Sequence, residues 1–300
     1  MKHAILGVGA IGGLLGAALA SLGESVTAIV RPQSVSAFPP ELVLERPSGL
    51  LTGPGQVAAA LTEAVDVLWI ATKAYQLEEA LNSVHAPPLS VLPLLNGIDH
   101  IPLLESRFGR ERVVPGTIAV EAEKTGAGRF LQRSPFVRLN LASRSEARMG
   151  AIVQQFRALG FSCEFIPSDA TLLWSKLCFL GPFALVTSAS SLSIGDVQAS
   201  PEWRPQLKTA IAEACAVGNA SGAAIDPAKI EAAFAGAPSA MRSSMQKDLA
   251  AGRKLELDAI GGPIVRAGKR HGLDVSTTAS LIATINRASE QISAQSPAPQ

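Results

Sequence analysis

An excess of charge of either sign is nearly absent from this 300-residue chain: 26 Lys and Arg stand against 25 Asp and Glu, a net of +1. Nucleic acid and anionic membrane surfaces are captured by clustered cations, so the balance points to a small molecule or a protein as partner. Cysteine is scarce as well. Cys163, Cys178 and Cys215 are odd in number, widely spaced and set among apolar neighbours, the pattern of reduced core thiols in a cytosolic protein. The four histidines, His3, His85, His100 and His271, are equally scattered, and no spacing suits a metal. Long hydrophobic runs are missing. Leu177 to Val186, the most apolar stretch, is short and broken by Gly181-Pro182, which excludes a membrane span on this reading. With 47% hydrophobic and 17% charged residues there is enough apolar surface to offset ordering entropy. Single cores stop growing at roughly 250–300 residues, so two domains are expected.

The first thirty residues admit two readings. Lys2, the apolar stretch from Ala4 and the small residues Ala18-Leu19-Ala20 resemble a secretory signal with its cleavage site. Against this, Gly7, Gly9 and Gly12 form a GxGxxG, with Ala10 and Ile11 inside it. It follows the β-prone run His3 to Leu6 and opens an Ala/Leu-rich helical stretch. In such a turn the first Gly meets the backbone angles, the second lets the chain approach a pyrophosphate, and the third lets helix and strand pack. The pyrophosphate then sits on the free N–H groups of the helix N-terminus. A second β-prone run, Ser25 to Val30, follows at βαβ distance.

Where an NAD-binding protein places an acid for the ribose hydroxyls, this chain has Val30-Arg31-Pro32-Gln33. An Arg suits the 2′-phosphate of NADP and no carboxylate is there to repel it, so NADPH is the cofactor expected. The competing reading of Arg31 is a solvated loop charge.

Val65 to Ala71 and Val91 to Leu95 read as buried parallel strands, Arg112 to Val114 and Val137 to Leu141 as further ones, and Phe161 to Ile166 as the last of the first domain. Ligands of open α/β sheets sit beyond the carboxyl ends of strands. Lys73 and Asn96 are placed there, although a helix-start Lys and an ordinary Asn-Gly turn explain them equally. From residue 167 the pattern becomes helical: Asp169 to Leu180, Pro205 to Ala220 and Ser239 to Gly272. The expected division is 1–166, a dinucleotide-binding α/β domain with a mostly parallel, doubly wound sheet; 167–291, all helical; and 292–300, a fraying tail. The small residues from Ala210 to Ala224 offer a stripe along which two copies could pair into a homodimer.

Lys176 lies among Leu172, Leu173, Trp174, Leu177, Phe179 and Leu180. Desolvation lowers the pKa of such an ammonium, which then suits donation of a proton to a ketone oxygen as hydride arrives; the alternative is a Lys snorkelling from an amphipathic helix. Glu256 reads as a helix-surface charge. Ser244 and Asp248 share a helix face by spacing.

As an ordered set, GVGAIG at Gly7 to Gly12, Arg31, Thr72-Lys73-Ala74, Leu95-Asn96-Gly97, Trp174-Ser175-Lys176-Leu177, and Ser243-Ser244-Met245-Gln246-Lys247-Asp248 followed by Leu255-Glu256-Leu257-Asp258 resemble the ketopantoate reductase family (2-dehydropantoate 2-reductase). The resemblance covers nearly the whole chain. It implies an N-terminal Rossmann domain and a helical C-terminal domain in a cytoplasmic enzyme of pantothenate biosynthesis. It implies that NADPH is held by Gly7, Gly9, Ala10, Ile11, Gly12, Arg31, Lys73 and Asn96, and that Lys73, Asn96 and Ser244 contact a 2-keto acid. It further implies that Lys176 protonates the ketone while Glu256 orients substrate and cofactor ribose.

The chain departs from the family at four amides: Leu180, Ala184, Ile194 and Met241 stand where the family usually has Asn. Each lost hydrogen bond costs roughly 1 kcal/mol, more if a substrate hydroxyl is buried unpaired. Ser188, Ser190, Ser191 and Ser193 are nearby hydroxyls that can replace them. The departures open two alternatives to 2-dehydropantoate reduction: the same chemistry on a less polar 2-keto acid, and a non-catalytic NADPH-binding sensor.

Overall fold

A computed structural model describes residues 1–295 of the chain. Contacts divide it into two units, Met1–Leu95 with Asp99–Leu172, and Asn96–Ile98 with Leu173 onward.

The first unit is built on a five-stranded sheet in which every pairing is parallel. Its strands are β1 (Lys2–Leu6), β2 (Ser25–Ile29), β5 (Gln56–Ala58), β6 (Val67–Ile70) and β7 (Ser90–Pro93), in the order β5-β2-β1-β6-β7. Between β1 and β2 runs α1 (Ala10–Ser21), whose residues Gly12 to Ala20 are all buried. The segment that resembles a secretory signal therefore supplies the central strand and a core helix. The four residues of β6 are buried on both faces, which explains a continuous rather than alternating apolar run. One polar pair is tolerated inside: Trp69 Nε1 donates to His3 Nδ1 at 3.1 Å.

The antiparallel strands β3 (Glu41–Arg46) and β4 (Gly49–Pro54) join β9 (Ala122–Gly126) and β10 (Arg129–Gln132) in a second sheet, β4-β3-β10-β9, which α1 packs against. A third sheet, β12-β11-β8, contains β8 (Gly116–Ala119), β11 (Arg138–Ala142) and β12 (Ser162–Ile166). Helices α2 (Leu77–Leu81), α3 (His100–Phe108) and α4 (Glu146–Ala158) complete the unit. The sequence reading took Arg112 to Val114 as a strand; it makes only an isolated bridge, Val91 to Val113. Pro115, which has no N–H to donate, separates the bridge from β8.

The second unit is helical: α5 (Asp169–Ser190), α6 (Ile194–Ala199), α7 (Trp203–Ala220), α8 (Pro227–Ala235), α9 (Ser244–Ala250), α10 (Leu257–His271) and α11 (Ser276–Gln295). The helices differ from the sequence pattern in several places. Gly181-Pro182 does not break α5, which runs 22 residues. Among the described residues it is the one helix long and apolar enough to cross a membrane, and 67% of its apolar stretch is buried inside the fold, as in a core helix. Ser239 to Gly272 is two helices, because the chain turns at Gly252 (φ +63°) and Arg253 N bonds back to Asp248 O at 2.8 Å. The small residues of α7 face inward, with Ala210, Ala214 and Gly218 buried and Cys178 Sγ donating to Ala214 O at 3.3 Å; that stripe is used inside the chain. Residues 292–295 continue α11, and 296–300 of the expected tail lie outside the described residues. Contacts group the first four residues of α5, Asp169 to Leu172, with the first unit, where Arg144 Nε donates to Asp169 Oδ2 at 2.9 Å.

Cys163, Cys178 and Cys215 are free and buried. No group of three or more potential metal ligands occurs among the described residues.

Candidate active site

In the α/β unit the glycine turn follows β1 directly. Gly7 has φ +92°, and a Cβ there would lie 2.7 Å from Thr72 N; only glycine fits. A Cβ on Gly12 would lie 2.1 Å from Gly7 O, so the third glycine seats α1 against the turn. Gly9 is different: nothing among the described residues lies within 4 Å of a Cβ built on it, and as N-cap of α1 it offers no side-chain bond to the helix N–H groups. The turn is closed below by Gly7 and Gly12 and open above Gly9, a cradle that fits a dinucleotide pyrophosphate. Ala10 and Ile11 are the first residues of α1 and are half-buried.

Register places other predicted residues at the same sheet edge. Leu6 is opposite Ile29 and Ile70, so the chain after β2 and after β6 leaves beside the turn. Arg31 is exposed and opens a 3-10 turn, Pro32–Ser34. Lys73 is half-buried and opens another, Ala74–Gln76. Thr72, which belongs to the motif but to which the sequence assigns no role, has its Oγ1 buried with no hydrogen-bond partner among the described residues.

In the helical unit three predicted residues meet. Lys176 Nζ donates to Asn96 Oδ1 at 3.3 Å, and Asn96 Nδ2 donates to Glu256 Oε2 at 3.1 Å. Each arrives from a different element: Lys176 from the second turn of α5, Asn96 from the loop after β7, and Glu256 as N-cap of α10. The Asn-Gly pair is more than a turn signal, because Gly97 (φ +80°) lies so close to α10 that a Cβ would be 2.1 Å from Ala259 O. That approach sets Asn96 beside Glu256. Burial pushes the Lys176 ammonium down to about 8, the Glu256 carboxylate opposing the shift. Glu256 itself is buried, 5% exposed, so it is no surface charge. The arrangement is a cation of lowered pKa held through an amide to a buried acid, suited to delivering a proton.

Ser244 is exposed as the first residue of α9. Asp248, on the same face, accepts from Arg253 Nε at 2.8 Å. Of the four positions where amides are missing, Ala184 and Ile194 are fully buried, Leu180 is half-buried and Met241 is 36% exposed; only the last two present surface. The neighbouring serines divide as well. Ser190 Oγ donates to Val186 O and Ser193 Oγ donates to Asp196 Oδ2 while capping α6. Ser188 is buried, its Oγ without a hydrogen-bond partner among the described residues, and Ser191 is exposed at φ +59°.

Comparison with known proteins covers both units. The family described as Ketopantoate reductase PanE/ApbA matches residues 3–145, and its C-terminal counterpart matches residues 170–289. A 2-dehydropantoate 2-reductase from Caulobacter vibrioides is 28% identical over 297 residues, covering 95% of this chain and 98% of that protein. A PanE/ApbA family ketopantoate reductase structure from Ralstonia eutropha superposes with a TM-score of 0.84 at 25% identity, covering 97% of this chain and 99% of that one. A D-mandelate dehydrogenase, solved with NADH and anilino(oxo)acetate, shares the fold at a TM-score of 0.86 and 22% identity, covering 98% of this chain and 100% of that one.

Proposed function

Because this chain belongs to the ketopantoate reductase family, a family of oxidoreductases, we propose that it reduces 2-dehydropantoate to (R)-pantoate with NADPH, in the cytosol, as a step of pantothenate synthesis. The observation that carries this reading is the Lys176–Asn96–Glu256 chain of hydrogen bonds. When bound, the reduced nicotinamide supplies a hydride.

Gly7, Gly9, Ala10, Ile11 and Gly12 would hold the pyrophosphate, and Arg31 the 2′-phosphate. Lys73 and Asn96 would steady the nicotinamide end and the keto acid. Lys176 Nζ then donates a proton to the ketone oxygen as negative charge develops on it. Asn96 holds that ammonium in place, and the buried Glu256 keeps Asn96 in one orientation and offsets part of the desolvation of Lys176. Ser244 would meet the substrate carboxylate. NADPH over NADH rests on Arg31 and on the lack of an acid after β2, so Arg31→Ala should weaken NADPH binding far more than NADH binding.

A second reading has its own support. Leu180 and Met241 present apolar surface where amides are usual, which favours a 2-keto acid with a less polar side chain. Following the near-ultraviolet absorbance of NADPH with 2-dehydropantoate beside a panel of 2-keto acids separates the two, with Lys176→Ala as control. Fast, Lys176-dependent turnover of 2-dehydropantoate supports the first reading. A higher kcat/KM on an apolar acid, lowered by Leu180→Asn, supports the second. Binding of NADPH without turnover of any acid overturns both in favour of a sensor.

A further inference from the structure

Two segments at which two of the four family departures lie, Ile194 and Met241, are laced together inside the helical unit. Between α5 and α6 the chain runs from Ser191 to Ser193; before α9 it runs from Ser239 to Ser243. Gly195 N donates to Ser239 O at 2.9 Å and Ile194 N donates to Met241 O at 3.0 Å. Arg242 Nη1 donates to Ser191 O at 3.0 Å, and Gln246 Nε2 reaches Leu192 O at 3.0 Å. Thr187 Oγ1 lies 3.0 Å from Ser243 Oγ while donating to Phe183 O at 2.7 Å, which leaves the Ser243 hydroxyl as donor in the first contact. Ser243 is in turn the N-cap of α9, accepting from Gln246 N at 3.1 Å.

Two features mark this lacing as more than ordinary packing. Ser191 is the one non-glycine residue with positive φ among those described (+59°), a conformation that costs an L residue free energy and persists only where its surroundings impose it. Gln246 is buried, 6% exposed, and its Oε1 has no partner among the described residues. A half-satisfied buried amide is a poor choice for packing alone; what the side chain contributes is its Nε2 link to Leu192.

We propose that Thr187 and Gln246 are positioning residues that fix the stretch from Met241 to Ser244 on α5, the helix that bears Lys176, and on the loop that follows it, and thereby set the affinity for the keto acid. The proposal rests on the reading that Ser244 and Met241 face substrate. Neither positioning residue would touch the substrate; each acts through the segment it holds.

The test uses the full chain with Gln246→Met, which keeps volume and removes the donor, and Thr187→Val with Thr187→Ser as the conservative rescue. Hydrogen exchange at the Ile194 and Gly195 amides reports the lacing independently of activity, and steady-state kinetics report its consequence. Expected are faster exchange at both amides in Gln246→Met and Thr187→Val, and KM for the keto acid raised about tenfold (1.4 kcal/mol) with kcat and NADPH affinity within about twofold. Thr187→Ser should restore both readouts. Unchanged exchange overturns the proposal whatever the kinetics. Faster exchange with unchanged KM overturns it too, because the lacing then serves stability alone. A wild-type protein that turns over no keto acid overturns the functional reading, and with it the role in substrate affinity, while exchange still decides whether the two side chains hold the segment.

Discussion

Asn96 and Glu256 are 160 residues apart in the chain and 3.1 Å apart at their polar atoms, the amide donating to the carboxylate. The other end of the same amide accepts from Lys176, so one side chain ties the ammonium to the buried acid.

The first prediction concerns pH. Under the proposed function Lys176 must be protonated to donate, and its folded pKa is lowered to about 8 by burial. The kcat/KM for ketone reduction should therefore be flat below that value and fall as pH rises through it, and Lys176→Ala should lower kcat by about 100-fold or more and remove the limb. Stability has the opposite trend. Between about 8 and the unfolded value of about 10.4 the unfolded chain holds more protons than the native one, so the free energy of unfolding rises with pH across that window. Denaturant titrations at a series of pH values check it.

Replacing Asn96 by Asp tests the geometry with a single charge. A carboxylate beside the ammonium favours its charged form, so the basic limb should move to higher pH by about one unit, while repulsion from Glu256 weakens the positioning and lowers kcat. An unmoved limb in Asn96→Asp would show that Lys176 is not the titrating group.

Gly9 and Gly12 should separate binding from folding. Alanine at Gly12 would set its Cβ 2.1 Å from Gly7 O, and forced repacking of that kind costs about 1–3 kcal/mol. Alanine at Gly9 meets nothing within 4 Å; unfolding free energy should change by less than about 1 kcal/mol, while NADPH affinity falls about tenfold or more as the methyl enters the pyrophosphate position. Calorimetric titration beside thermal melts reads both.

Glu213 predicts a purely structural effect. From α7 its buried carboxylate accepts from Thr277 N at 2.9 Å, Thr278 N at 2.8 Å and Thr278 Oγ1 at 2.6 Å, capping the first turn of α11 from a distant helix. Glu213→Ala should cost about 2–3 kcal/mol of stability and leave KM for the keto acid unchanged in the folded fraction.

What was legible in the sequence follows the range of the interactions. The β1-α1-β2 unit and its glycine turn depend on neighbours within thirty residues, so pattern and spacing identify them. Lys176 is legible for the same reason, since the apolar groups that flank it in sequence lie along one helix. Glu256 is not: its burial comes from the fold of the helical unit, and its partner Asn96 enters from the far side of the chain. The break between α9 and α10 was missed because no proline marks it; a left-handed Gly252 and a backbone bond to Asp248 make it. The four departures were equally opaque, since sequence gives identity and not exposure. Only the packed helices show that Ala184 and Ile194 are sealed in the core while Leu180 and Met241 reach the surface.

The sequence by itself determined a dinucleotide-binding α/β unit, a helical unit, and a lysine among apolar residues, because local propensity and periodicity suffice for each. The tertiary structure decided that this lysine is tied through Asn96 to a buried Glu256, and which apolar substitutions present surface. Those are matters of desolvation and of contacts between residues far apart in the chain, and they exist only once the helices have packed.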